Sequence, residues 1–409
     1  MTVGVGGSTA EQEWARLSNL SDKAPSISNG EFKLRMQRAV TLMQRQGLRG
    51  IYLNAGTNLY YFTGLKWSAS ERMVGALLLD SGELLYIAPQ FERDSLRDFM
   101  QIEAPFHGWH EHENPAERVA ALLAERGIET GKLAMDESAA FFLFDGLRRA
   151  CPQIEWVNGS CISARCRMIK SEAELALMQT AKTMTLEVQK SAARILREGI
   201  TTTEVTAFIH EAHKRVGAPG GSSFCIVLFG LATSFPHGVK EPQTLKRNDW
   251  VLIDTGCLLH GYNSDITRTY CFGEPSERQR QMWQVEKDAQ AAAFAAAQLG
   301  QPCEAADAAA REVLQAHGLG PDYQVPGLPH RTGHGCGLDI HEWPYLVKGD
   351  RTPLAPGMVF SNEPMLVLPG EFGVRLEDHF YMTASGPRWF TTPSHSVDDP
   401  FGYQLDATH

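Results

Sequence analysis

Between His330 and Glu342 the chain reads His-Arg-Thr-Gly-His-Gly-Cys-Gly-Leu-Asp-Ile-His-Glu, three histidines and three glycines in thirteen positions. Glycine allows backbone turns that other residues resist, so side chains can be presented at close quarters. Imidazole is both a metal ligand and a proton carrier near neutral pH. The stretch has company: Asp254 and Asp265 lie upstream, Glu363 and Glu377 downstream, each in an apolar setting.

A chain of 409 residues has room for two domains of roughly 150 residues each. Its 43% apolar and 21% charged content is that of a globular protein. A formal charge of −10 argues against nucleic acid as a partner, because phosphate binding calls for a basic surface. The eight cysteines form no CxxC pair and no zinc-finger spacing, which points to reduced, mostly buried thiols. No signal peptide and no bilayer-length apolar run is present, so no membrane is expected and the cytoplasm is the expected location.

Taken in order, residues 1–28 are small and polar and are expected to be a poorly ordered leader. Residues 29–165 show helical spacing from Phe32 to Met43, then short apolar runs at 51–53, 75–79 and 84–88 that alternate later with helices. This predicts a smaller α/β domain. Within residues 170–409, Leu175, Met178, Ala181, Met184 and Val188 share one face of a long helix, and Thr201 or Thr202 caps the next. Strands are expected at Phe224–Phe229, Trp250–Leu258, Tyr262–Phe272, Gly357–Phe360 and Gly373–Phe380, with helices at 276–298 and 304–317. The second domain is therefore read as α+β, with helices on a mostly antiparallel sheet.

Asp254 follows three aliphatic residues, Val251-Leu252-Ile253, and Asp265 lies on what reads as the partner strand of a hairpin. Cross-strand neighbours approach to about 5 Å, so two carboxylates on one face repel unless a cation sits between them. Taken singly, Asp254 reads better as a strand-end turn former and Asp265 as a solvated hairpin residue. Glu363 stands just after an apolar strand, and Glu377 in the alternating run Val374-Arg375-Leu376-Glu377. Four carboxylates and one histidine form an oxygen-rich ligand set. It suits two divalent ions, manganese by ligand hardness, with cobalt or zinc as alternatives. The other histidine cluster, His107 to His112, reads as a wet loop, and Trp67 as core or rim packing.

The order Asp-x10-Asp, His-x3-His-x6-His, Glu-Pro and Arg-x-Glu-Asp resembles the pita-bread metallopeptidases, the family of methionine aminopeptidase, aminopeptidase P and prolidase. That resemblance implies Asp254, Asp265, His334, Glu363 and Glu377 as metal ligands, with Asp265 and Glu377 shared between two ions. It implies Glu363 as the acid–base group, and His341 as the residue on the substrate carbonyl. His237 and His330 become pocket residues, and Arg375 a residue beside the last ligand in the substrate site. Asn58-Leu59-Tyr60-Tyr61-Phe62-Thr63-Gly64 resembles the N-terminal domain of prolidase, aminopeptidase P and creatinase, which methionine aminopeptidases lack. The implied fold is a C-terminal pita-bread catalytic domain with a smaller creatinase-type α/β domain before it, in a homodimer. The implied activity is that of an Xaa-Pro dipeptidase acting on dipeptides with proline second. Aminopeptidase P, acting on longer peptides, is the alternative. A dimethylsulfoniopropionate lyase and a non-enzymatic relative rank lower, because the ligands are intact here. One position departs from the pattern: Val367 stands where many relatives carry Tyr, which bears on proline selection and leaves metal binding untouched.

Overall fold

Apolar runs bounded by turn residues build two units in the computed structural model, which describes residues 2–406. One unit is Ile27–Arg167; the other combines Met1–Ser26 with Met168–His409.

The leader is not the disordered segment its composition predicted. Ala10–Arg16 forms helix α1, closed by a capping box between Thr9 and Gln12. Trp14 stacks on Phe208 with ring centroids 5.5 Å apart. Glu13 is fully buried, its carboxylate between Arg16 (2.6 Å) and Arg194 (2.7 Å). Ahead of the helix, Val3 N–H donates to the Asp398 carbonyl and Gly6 N–H to that of Ala193. These partners lie far away in sequence, which is why composition misjudged the segment.

The smaller unit holds a mixed six-stranded sheet of β1 (Leu48–Asn54), β2 (Gly75–Leu79), β3 (Leu84–Pro89), β4 (Phe106–Trp109), β5 (Gly131–Met135) and β6 (Ile154–Asn158), in the order β4-β3-β2-β1-β5-β6. The central strands read as unbroken apolar runs because both their faces are covered. Helices α2 (Asn29–Gln46), α3 (Thr57–Thr63), α4 (Arg93–Phe99), α5 (Pro115–Ala124), α6 (Phe141–Ala150) and α7 (Ser163–Arg167) complete the unit. The Asn58–Gly64 motif has a structural explanation. Asn58 Nδ2 donates to Asp136 (2.9 Å), Arg167 donates to Asn58 Oδ1 (3.0 Å), and Asp136 in turn accepts from the Asn54 amide. The stretch expected to be a wet loop, His107–His112, begins on β4 and becomes a turn only after Trp109; among the described residues it gathers no ligand set, and Glu111 is paired with Arg72. Trp67 packs edge-on against Phe99.

In the larger unit, α8 (Glu172–Arg194) and α9 (Thr202–Arg215) each start at a capping box, Ser171 with Glu174 and Thr201 with Glu204. The strands β7 (Ser222–Phe229), β8 (Trp250–Leu259), β9 (Tyr262–Asn263) and β10 (Ile266–Cys271) make one sheet, in the order β10-β8-β7 with β9 on β8. After α10 (Glu277–Ala296) and α11 (Glu304–Ala316) come β11 (Gly333–Gly335), β12 (Glu342–Leu346), β13 (Val359–Asn362), β14 (Leu366–Leu368), β15 (Phe372–Val374), β16 (Asp378–Thr383), β17 (Gly386–Trp389) and the short helix α12 (Tyr403–Asp406). Their second sheet runs β12-β11-β13-β16-β17, and β14 pairs with β15 alone. All pairings in this unit are antiparallel. The single sheet expected is thus three.

The strand expected over Gly373–Phe380 is broken, and the break matters. Residues 375–377 leave their own ladder and bind β10: Arg375 N–H donates to Thr269 Oγ1, and Glu377 N–H to the Thr267 carbonyl. This bridge between Thr267 and Glu377 joins the two larger sheets at the position of a candidate ligand. In the histidine stretch, a Cβ on Gly333 would lie 2.1 Å from the Ser361 carbonyl oxygen, and one on Gly335 2.3 Å from that of Glu342. Close backbone packing, not flexibility, requires glycine there.

Candidate metal centre

The ladder between β8 and β10 puts Asp254 opposite Thr267 and, on the other side, opposite Ile226 of β7. Asp265 is not the direct cross-strand partner the hairpin reading expected. It sits in the break between β9 and β10, two residues before Thr267, and so shares that residue's face. From the second sheet come His334 on β11, Glu363 just past β13 and Glu377 at the sheet switch. All five line one cavity of about 510 Å³. His237, His330, His341 and Arg375 line it too, with Phe224, Ile226 and Ile340 as apolar walls.

Within the cavity, ligand atoms of Asp265, His334 and Glu377 all lie within 4.8 Å of one another. His334 Nε2 is 3.8 Å from Asp265 Oδ2 and 3.0 Å from Glu363 Oε1. Its Nδ1 faces the Gly335 carbonyl at 3.0 Å. A carbonyl only accepts, so Nδ1 carries the proton and the Nε2 lone pair is left facing the space among the acids, the tautomer a metal ligand needs. Glu377 Oε2 accepts from Thr267 Oγ1 at 2.7 Å, and Ser361 Oγ donates to Glu363 Oε1 at 3.0 Å.

Such crowding of acids is unfavourable by itself. Burial, then the charges of Glu377, Asp254 and Glu363, push the Asp265 carboxyl well above its ordinary range. Glu377 is pushed up likewise, by burial and then by Glu363 and Asp254. Asp254 Oδ1 and Asp265 Oδ1 are buried and have no partner among the described residues. Orphaned acceptors, mutual repulsion and a hard-oxygen donor set with one imidazole fit divalent cations.

Family comparisons agree with this geometry. The model of metallopeptidase family M24 matches residues 176–384, and that of the creatinase/prolidase N-terminal domain matches residues 35–169. The chain belongs to metallopeptidase family M24. It thus has the pita-bread catalytic domain and, before it, the α/β creatinase-type domain. Among M24 relatives, the Xaa-Pro dipeptidase of Pyrococcus furiosus is 29% identical over 88% of this chain and 98% of its own. The crystal structure of dipeptidase PepE from Mycobacterium ulcerans aligns with a TM-score of 0.85 at 31% identity, covering 91% of this chain and 99% of that one. For the dipeptidase of Pyrococcus horikoshii the TM-score is 0.79 at 30% identity, covering 89% and 99%. Among the described residues of this M24 chain, no helix is long and apolar enough to cross a membrane.

Around the M24 centre stands a ring of supporting residues. Arg375 was expected on the substrate side, and it does line the cavity. Four of its N–H groups, however, go to protein: Nε to Thr267 Oγ1, Nη1 to the Pro236 carbonyl and Met365 Sδ, and Nη2 to Asp254 Oδ2 at 2.6 Å. The geometry is that of a brace for Asp254 and for the loop carrying His237. His341 stands edge-on to His334, ring centroids 4.2 Å apart. Its imidazole is held below its ordinary pKa, first by burial and then by His334 and Arg331. Val367 lies in the core, its amide and carbonyl paired with Gly327, and is not among the cavity-lining residues.

Two further buried residues support the centre, Lys182, which sequence reasoning missed, and His379. Lys182 is completely buried on α8 and donates to the Asn263 carbonyl at 3.1 Å. Asn263 in turn holds the carbonyls of Gly337 and Leu338, tying the Asp265 loop to the histidine stretch. The signal was a lysine directly after Ala181 on the apolar face of a helix. His379 places Nε2 3.3 Å from Glu377 Oε1, and burial keeps it neutral by driving its pKa well down.

Proposed function

We propose that this chain is a two-metal Xaa-Pro dipeptidase, cutting the amide bond before a C-terminal proline. The observation carrying this reading is the convergence of Asp254, Asp265, His334, Glu363 and Glu377 on one cavity, with two buried carboxylate oxygens left without a partner among the described residues. The names of the relatives from Pyrococcus furiosus and Mycobacterium ulcerans support it.

Those five residues would hold two divalent ions, with manganese favoured over cobalt or zinc. When bound, such ions supply Lewis acidity and lower the pKa of a water used in hydrolysis. Glu363 takes the proton of the attacking water at its carboxylate, which Ser361 Oγ orients. His341, a neutral imidazole at neutral pH, donates to the substrate carbonyl oxygen as negative charge develops there. His237 and His330 wall the space for the substrate with Phe224 and Ile226. Homodimerisation and a cytoplasmic setting belong to the same proposal; light scattering on the purified chain tests the first.

One observation favours the second reading, aminopeptidase action on longer peptides. A neighbouring cavity along β7 and α9 shares Phe224, Ile226 and His237 with the metal cavity, so space continues past the site. A panel of Xaa-Pro and Xaa-Pro-Yaa peptides, with chelator and then manganese, cobalt or zinc add-back, decides. Dipeptide cleavage that chelator abolishes and manganese restores is expected. Faster cleavage of tripeptides would transfer the assignment to aminopeptidase P, and an inert protein after add-back would overturn both.

A further inference from the structure

Residues 321–332 lead into the histidine stretch with no regular strand or helix. Their backbone groups must nonetheless find partners once buried. Two side chains of α11 supply them. Arg311, 6% exposed, and Asp307, 1% exposed, lie one helical turn apart and pair at 2.9 Å. Arg311 Nη1 donates to the carbonyls of Leu328 (3.0 Å) and Asp322, and Nη2 to that of His330 at 2.6 Å. Asp307 Oδ1 accepts from the Thr332 amide (3.1 Å) and hydroxyl (2.7 Å), while Oδ2 accepts from the Lys348 amide (3.2 Å). Thr332 passes the constraint on, since its carbonyl accepts the Glu363 amide at 2.8 Å.

We propose that Asp307 and Arg311 are positioning residues for the reaction: the buried pair sets the backbone at His330 and Thr332, and so aims the His330 imidazole and the Glu363 carboxylate into the cavity. Neither side chain is among the cavity-lining residues, so both act through others. A planar guanidinium is suited to hold several carbonyls at once, and an ammonium on a flexible stem is not. The pair therefore replaces the ladder that a regular strand would provide. Of the five candidate ligands only Glu363 is shown hanging on the pair through Thr332; His334 is anchored through its amide on Ser361 Oγ and Glu377 through Thr267, so metal is still taken up at saturating manganese when the pair is disturbed.

The inference rests on the hydrolytic reading, and the test separates the two. Wild type, Arg311→Lys, Asp307→Asn and Thr332→Val are loaded with manganese. Metal per chain, thermal midpoint, and kcat and KM on an Xaa-Pro dipeptide are then measured at a temperature where each is folded. Displacing a reacting group by about 1 Å costs on the order of a hundredfold. Arg311→Lys and Asp307→Asn should therefore lose about ten- to a hundredfold in kcat, more than KM changes, with metal content at the wild-type value. Thr332→Val, which removes one hydroxyl bond, should lose several-fold and keeps the test alive if a charge variant fails to fold. Folded variants whose kcat stays within about twofold of wild type, whatever their thermal midpoint, overturn the proposal, and so does loss of metal. An inactive wild type would instead sink the dipeptidase reading.

Discussion

Arg375 and Asp254 meet at 2.6 Å in the cavity wall, both buried. Breaking such a pair strands a charge, at a cost of about 3–5 kcal/mol. Arg375→Met should lower the thermal midpoint, and lower it less with manganese bound, because cations compensate the bared carboxylate; calorimetry with and without the ion checks both halves. His341 touches no ligand through a hydrogen bond that would be lost. His341→Ala should therefore keep its metal while losing about 10²–10³ in kcat, read by elemental analysis beside kinetics. At this scale the sequence was informative about the acids and imidazoles, whose types and order carry the chemistry. It was silent about Thr267, Ser361 and Lys182, because a threonine, serine or lysine becomes a partner only when folding delivers something to it.

The segment 375–377 departs from its predicted strand because β10 offers it hydrogen bonds, and α10 supports the switch from below. Glu286 Oε1 accepts the Leu376 amide at 3.1 Å, while Oε2 is buried without a partner among the described residues. Burial pushes this carboxyl well above its ordinary 4.5. A raised acid costs the fold nothing below its unfolded value and destabilises it increasingly as pH rises toward the folded value. Glu286→Gln should therefore match wild type near pH 4 and gain in relative stability from about pH 4.5 upward, measured as the difference in thermal midpoint across pH. The leader helix makes its own prediction. Glu13→Ala leaves Arg194, 22% exposed, without its carboxylate; because Arg194 keeps Tyr403 and Ser191, the loss should fall below the roughly 3–5 kcal/mol of a fully buried pair and be seen as a lower denaturation midpoint. Capped, amphipathic elements such as α8 and α9 were legible because their signals are local. The leader and the switch were not, since each is held by residues ninety or more positions away.

On the scale of the molecule, the candidate ligands come from two sheets, Asp254 and Asp265 from one, His334, Glu363 and Glu377 from the other, and only the folded chain brings them together. Ions that bind this state alone must stabilise it, by about 2.7 kcal/mol at a hundred times the dissociation constant. The thermal midpoint should rise with manganese concentration and fall back with chelator; a midpoint indifferent to both would speak against a preformed cage. What the amino-acid order determined unaided was the kind of chemistry, the division into a smaller α/β unit and a larger α+β one, and which acids and imidazoles stand as candidate ligands. These follow from residue type, spacing and hydrophobic period, all of which survive in an unfolded chain. Tertiary structure alone decided that the leader packs on the larger unit, that Asp265 sits in a strand break, that Arg375 braces Asp254, and that Arg311 holds the loop before His334. Each of those rests on a hydrogen bond or ion pair between distant residues, and a partner's position is a property of the fold rather than of the neighbours in sequence.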